Sequence, residues 1–244
     1  MRAFHVNVPA RLNAASLRSL AATLSELPCS PVVLRGEQGS FCVGVDPTQL
    51  LESGAEEVQK LGHLFAVCLR TLNRHSAPTL AIVEGEALGG GLGLAAACDI
   101  VLARPAARFA LPEVLYGLVP GIVLPYLLQR LSRQTVRRMA FAGLSLDVHA
   151  GLRLGLVDEL LGADVHADIA RWERMLSRAD KRAVSALRSL LATTLQPEDD
   201  GWQEACVACS VRMQLSDESR AAMKGFVDGG MAQVQDRLGS GPQA

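Results

Sequence analysis

From Leu88 to Ala103 the chain reads LGGGLGLAAACDIVLA, with four glycines and one charge, Asp99. A stretch this apolar has to be buried, and it falls short of the ~18 residues that a membrane span requires. The three glycines at its front permit a tight turn and a close approach of backbones that side chains would block. The segment therefore reads as a turn at Gly89–Gly91, a small-residue helix, and a strand over Ile100-Val101-Leu102. Any fold that contains it must surround it.

The flanking patterns supply those surroundings. Leu17, Leu20, Ala21 and Leu24 recur at helical spacing after a turn near Asn13, and residues 55–74 do the same through Val58, Leu61, Leu64, Phe65, Cys68 and Leu72. Pro31-Val32-Val33-Leu34, closed by Gly36, and Thr79 to Val83, set off by Pro78, read as buried strands. Alternation of strand and helix predicts an α/β fold with parallel strands in a spiral or sheet. Beyond Pro120 the strand signals fade: residues 122–161 read as short helices and 165–228 as three longer ones. We expect a core over 1–160 and a helical region over 161–244 of the same unit, with a disordered GSGPQA tail and a mobile loop from Asp46 to Ala55.

With 24 basic and 25 acidic side chains the net charge is -1, so nucleic acid is not an expected partner. No signal-peptide or membrane-span pattern is present, and a cytoplasmic location is expected. The six cysteines lie in apolar contexts; Cys206 and Cys209 form a CxxC inside a helical pattern, with no second pair or histidine cluster, so all read as buried thiols. P-loop, GxGxxG, GxSxG and kinase signatures are absent, which removes phosphoryl and hydride transfer.

Two glycine segments carry the chemistry: Phe41-Cys42-Val43-Gly44-Val45-Asp46 and Gly89-Gly90-Gly91. Two backbone N–H groups aimed at one carbonyl oxygen make an oxyanion hole, often the largest electrostatic contribution in acyl chemistry. A carboxylate, Glu113 in FALPEVLYGLVPG, can then move the protons that an enolate needs. Leu111, Val114 and Leu115 beside it would desolvate it and lift its pKa toward neutrality. No metal site is suggested, since backbone N–H groups would do that work.

These motifs resemble those of the crotonase (enoyl-CoA hydratase/isomerase) superfamily, over roughly residues 5–230. The resemblance implies a ββα spiral core with a helical C-terminal part that packs trimers. It places one oxyanion donor after the motif glycine, on Val45, and the other on the middle glycine of the GGG turn, Gly90. Phe41, Val43, Gly44 and Gly89 would then flank the bound thioester, and His63, Tyr116 and Ile122 would line its acyl pocket. Asp46 matches a residue that more often bonds its own loop. No cofactor is implied beyond the phosphopantetheine or CoA that carries the substrate.

Two departures narrow the reading. Hydratases of this kind hold a water between two glutamates; the second matches Glu113, but the first falls on Gly93. They also commonly carry P-G-x-G-G-T where this chain has Pro120-Gly121-Ile122-Val123-Leu124-Pro125. With FCVGVD and FALPEVLYGLVPGIVLPYLLQRLSRQ, these features are most similar to the dehydratases of polyketide β-branching cassettes. Such enzymes dehydrate 3-hydroxy-3-methylglutaryl groups held on an acyl carrier protein. A Δ3,Δ2-enoyl-CoA isomerase, a single-glutamate hydratase and a non-catalytic partner protein are the alternatives. Arg70 and Arg74, one turn apart, read as a solvated face or as an entrance patch for a pantetheine phosphate or an acidic carrier protein. Apolar positions at Leu187, Leu190, Leu191, Val207 and Val211 exceed what one core should bury and predict a homotrimer or a dimer of trimers.

Overall fold

The computed structural model describes residues 2–37, 39–194 and 200–229. The first half runs β1 (Phe4–Val8), α1 (Ala14–Ser25), β2 (Val32–Gly36), α2 (Pro47–Glu52), α3 (Ala55–Asn73), β3 (Thr79–Val83), β4 (Glu86–Leu88), α4 (Gly90–Ala96), β5 (Ile100–Ala103) and β6 (Arg108–Ala110). Two 3₁₀ turns, Glu113–Tyr116 and Gly121–Val123, lead into α5 (Leu124–Arg130) and α6 (Arg133–Ala142). Then follow β7 (Leu146–Asp147), α7 (Val148–Leu154), β8 (Glu159–Leu160), α8 (Val165–Leu176), α9 (Lys181–Thr194), α10 (Asp200–Leu215) and α11 (Asp217–Gly229).

The main sheet has the order β1-β2-β3-β5-β8 and is parallel throughout. Parallel strands covered on both faces must be apolar on both. Val33, Leu80, Ile82 and Leu102 face Val165 and Ile169 of α8. The alternate residues Val32, Leu34, Ala81, Val83 and Val101 face the larger core, which contains α1, α3 and α4. A second sheet, β4-β6-β7, and the isolated bridges Leu12↔Val45 and Cys42↔Ala87 carry the chain across the end of the first. The expected α/β spiral with a helical C-terminal part is the observed architecture.

Asp99, the one charge in the apolar run, fastens strands to helices. It accepts bonds from Thr79 N (2.8 Å) and Thr79 Oγ1 (3.0 Å), and Arg188 of α9 grips both its oxygens at 2.8 and 2.7 Å. This charge-assisted pair sits at the rim of the core, with the Asp99 side chain 32% exposed.

The structure corrects several expectations. The segment after Asp46 is not a bare loop: it forms α2, with Asp46 as its N-cap, accepting from Thr48 N at 3.0 Å, and Pro47 opening the first turn. Strands β1, β4, β6, β7 and β8 went unread, the last two because two residues display no periodicity. Cys29 is exposed and Cys209 partly so, unlike the other thiols. Val207 and Val211 are buried within the protomer, so they do not contribute to an outward apolar face. The GSGPQA tail lies outside the described residues.

Candidate active site

The first glycine segment is pinned from both sides. Phe41 N and Cys42 N both donate to Glu86 O (3.1 and 3.0 Å), and Leu88 N returns a bond to Cys42 O at 2.9 Å. On the other edge Val43 N reaches Ala10 O (2.9 Å), Leu12 N reaches Gly44 O (2.8 Å) and Asp46 N reaches Leu12 O (3.0 Å). Neighbouring N–H groups of an extended chain point to opposite sides. With Asp46 N–H turned to Leu12, Val45 N–H faces away from it, and it donates to no group among the described residues.

Gly44, at φ +85°, brings the second segment alongside. A Cβ on Gly44 would stand 3.0 Å from Leu88 O and 3.2 Å from Gly90 N. Gly91 is packed against the first segment so closely that a Cβ there would lie 1.9 Å from Cys42 O. Gly89 turns the chain at φ +52°, a left-handed conformation suited to glycine. Gly93 N then closes onto Gly89 O at 3.0 Å as α4 begins. As the first residue of that helix, Gly90 has no intrahelical acceptor for its N–H. Phe65 and Leu12 pack over Gly90 at 3.2–3.3 Å from where a Cβ would be, and seal its apolar side. The two predicted donors are thus brought together by backbone geometry.

Glu113 opens the first 3₁₀ turn and lies directly on Gly89, whose missing Cβ would be 2.8 Å from Oε1. The residue as a whole is half-buried, while Oε2 is out of reach of solvent and has no hydrogen-bond partner among the described residues. Burial pushes its carboxyl up from the ordinary 4.5 to about 7; a bond to its own backbone opposes this without cancelling it. A carboxylate raised to neutrality beside two unpaired N–H groups can both take and return a proton at pH 7. The Leu115 side chain turns to Gly143, within 3.0–3.3 Å of where a Cβ would be.

Behind α4, Val123 of the second 3₁₀ turn fills the space over Gly93. A Cβ on Gly93 would lie 2.2 Å from Val123 Cγ1 and 2.8 Å from Val123 Cβ. That turn is itself pressed against α10, with Cys206 O 2.5 Å from where a Cβ on Gly121 would be.

Comparison with known proteins gives this arrangement its context. The model of the enoyl-CoA hydratase/isomerase family matches residues 10–237. The chain belongs to that family. Among its relatives, the bacillaene synthase dehydratase of Bacillus subtilis is 28% identical over 167 residues, 66% of this chain and 63% of that protein. The short-chain-enoyl-CoA hydratase of Clostridium acetobutylicum is 33% identical over 169 residues, 64% of this chain and 63% of that protein. The matched stretch thus spans just under two thirds of either relative. Among solved structures, an enoyl-CoA hydratase from Mycobacterium avium superposes with a TM-score of 0.76 at 27% identity, over 90% of this chain and 86% of that one. A Bacillus subtilis enoyl-CoA hydratase named for polyketide biosynthesis gives 0.79 at 22% over 93% of both chains, a likeness of fold alone. The fold of the chain is likewise that of the enoyl-CoA hydratase/isomerase family.

Within this enoyl-CoA hydratase/isomerase frame, the remaining expected pocket residues separate. Ile122 and Val45 line a cavity of about 40 Å³ with Gly62, Phe65 and Gln214. Phe41 is fully buried and Val43 half-buried beside Gly44. Tyr116 is buried against Phe226, ring centroids 4.3 Å apart. His63 is a correction: although Gly62 next to it lines the cavity, its own side chain is exposed and its Nδ1 is bound to Gln59 O at 2.8 Å. Arg70 and Arg74 are both exposed, about 7 and 13 Å further along the helix than Phe65, as a solvated face requires. Asn73, beside Arg74, bonds to Gln129 and Arg188 instead of the cavity. Three of the buried thiols are chemically quiet, because burial pushes Cys42 up to about 11 and Cys68 and Cys98 to about 12.

Proposed function

We propose that this enzyme dehydrates a 3-hydroxy-3-methylglutaryl-type thioester presented on the phosphopantetheine arm of an acyl carrier protein, as in polyketide β-branching. The observation that carries this reading is the filled space over Gly93. It leaves Glu113 as a single carboxylate in the place where the family's hydratases hold a water between two. The name of the bacillaene synthase dehydratase supports the choice of reaction. In this mechanism the thioester carbonyl oxygen accepts bonds from Val45 and Gly90 N–H. The Glu113 carboxylate removes the proton from the carbon next to the carbonyl, and the electron pair moves onto the oxygen as an enolate. The enolate collapses to a carbon–carbon double bond as the C3–O bond breaks. The departing hydroxyl takes the proton back from Glu113 and leaves as water, and the carboxylate is restored. No external reactant is consumed.

The same three groups could shift a double bond, returning the proton to another carbon, and a Δ3,Δ2-enoyl-CoA isomerase is the second reading. Side-by-side assay of the 3-hydroxy-3-methylglutaryl carrier protein, its CoA counterpart, a 3-enoyl-CoA and crotonyl-CoA separates them. We expect loss of water from the first at the highest kcat/KM, and little hydration of crotonyl-CoA. Equal efficiency on the carrier-protein and CoA forms would remove the carrier, and preferential turnover of the 3-enoyl-CoA would make the enzyme an isomerase.

We further propose that protomers assemble as a trimer through α9, where Leu187, Leu190 and Leu191 are 56%, 64% and 50% exposed in a row on one helix. Light scattering at micromolar concentration is expected to give three times the protomer mass of 25.9 kDa. A stable monomer would refute the assembly.

A further inference from the structure

Two adjacent residues of α11 hold the two halves of the candidate active site. Ser219 is buried and donates its hydroxyl to Gly117 O at 2.5 Å, at the end of the 3₁₀ turn that begins with Glu113. Gly117 is left-handed at φ +71°, and a Cβ there would lie 3.3–3.4 Å from Ser219 Oγ and Cα. Leu118 N ties the same turn back to Glu113 O at 2.9 Å. Two turns of helix further along, Phe226 packs on Tyr116. Arg220 reaches the other way. Its Nη1 donates to Leu50 O (3.3 Å) and Ser53 O (3.5 Å), and its Nη2 to Leu51 O.

Those carbonyls belong to the last turn of α2 and its cap, where the helix has no N–H donors of its own for them and cationic side chains are favoured. A helix of six residues has little stability in isolation. Its placement therefore depends on its ends: Asp46 caps one, Arg220 the other, and Gln49 Oε1 takes Ala14 N at 2.6 Å between them. The cap residue Asp46 directly follows Val45, so a displaced α2 pulls on the segment that presents the Val45 N–H, against the bonds Leu12 makes to either side of it. Gly117 likewise ends the turn whose first residue is Glu113. Ser219 and Arg220 thus link the donor side of the site to its carboxylate side through one rigid helix.

We propose that Ser219 and Arg220 are positioning residues that fix the Val45 N–H relative to the Glu113 carboxylate. The inference rests on the proposed roles of those two groups. It assigns to α11 a part in catalysis without contact with the substrate. Misplacing reacting groups by about 1 Å can cost on the order of 10²-fold in rate.

The test compares Arg220→Met, Arg220→Lys, Ser219→Ala and Glu113→Gln with the full-length wild type. The readouts are kcat and KM on the 3-hydroxy-3-methylglutaryl carrier protein, thermal melting, and amide hydrogen exchange over residues 45–53 and 113–117 without substrate. Arg220→Met is expected to melt cooperatively, to exchange faster over 45–53, and to lose about 10–100-fold in kcat with KM within about 3-fold. Arg220→Lys, which can still reach one carbonyl, should recover part of kcat. Ser219→Ala should speed exchange over 113–117 and lower kcat more mildly, and it carries the test if Arg220→Met fails to fold. Wild-type kcat in a folded Arg220→Met, or in Ser219→Ala where Arg220→Met does not fold, alongside an inactive Glu113→Gln, would overturn the positioning role while leaving the proposed chemistry intact. Full turnover by Glu113→Gln would overturn the chemistry and this role with it.

Discussion

Glu113→Gln is expected to lower kcat for dehydration by about 10²–10⁴-fold, the usual cost of losing a positioned acid–base group. The amide keeps the shape of the side chain and the contact with Gly89, so thioester binding through Val45 and Gly90 N–H should survive with KM little changed. The pH profile supplies the sharper reading. Burial lifts the Glu113 carboxyl to about 7, and only its ionised form can take the first proton. In the wild type kcat/KM should therefore rise with pH up to about 7 and then level. The residual activity of Glu113→Gln should lack that limb. Stability moves the opposite way. A carboxyl whose pKa is raised on folding contributes stability that is fully present below its unfolded value near 4.5 and is lost as pH rises through 7. Glu113→Gln, neutral at every pH, should therefore gain on the wild type in urea melts as pH climbs through that window. Undiminished dehydration by the variant would place the base elsewhere, and parallel melts at pH 4 and pH 8 would show that the carboxyl is not desolvated as the fold implies.

The second large effect concerns the missing hydratase carboxylate. Gly93→Glu, which restores it on paper, should yield no hydratase. A side chain at Gly93 meets Val123 Cγ1 at 2.2 Å, a distance no Cβ contact survives, and that turn is backed by the carbonyl of Cys206. Overpacking alone costs about 1–3 kcal/mol, and a carboxylate forced into an apolar wall adds its desolvation. We expect a poorly folded protein with no crotonyl-CoA hydration. Val123 stands where the P-G-x-G-G-T pattern of the hydratases has its first paired glycine. The two positions should therefore couple: Gly93→Glu with Val123→Gly should recover much of the folded yield and gain measurable crotonyl-CoA hydration. Such non-additivity is what residues competing for one volume display. Wild-type stability in the single variant would show that Val123 does not block the site.

The features legible in the sequence are those that glycine enforces locally. Gly44, Gly89 and Gly91 each stand where a Cβ would collide with another backbone or the Glu113 carboxylate, so the close approach of the two segments is legible in their spacing. Glu113 was legible because its flanking motif is contiguous. The exchange of volume between Gly93 and Val123 was only half visible: the substitutions could be noted, but not that one occupies the space of the other. Arg220 carried no signal at all, since an arginine in an amphipathic helix looks the same whether it meets water or three carbonyls. His63 misled for the complementary reason. Helical spacing places it within one residue of the cavity wall, and one residue is 100° of rotation.

The bond between Asp99 and Arg188 spans 89 residues of chain, and that between Leu50 and Arg220 spans 170. Closures of this length come late, because the entropy of the intervening loop opposes them until the local structure is in place. During synthesis the chain emerges N-terminus first. The sheet and both glycine segments are therefore made before the helices that complete them exist. A nascent chain that has reached α7 already carries Val45, Gly90 and Glu113, yet the carboxylate of Asp99 still waits for its arginine and α2 for its anchor. Under the proposed positioning role, a chain that ends before α11 carries all three groups of the proposed site but not the residues that fix them.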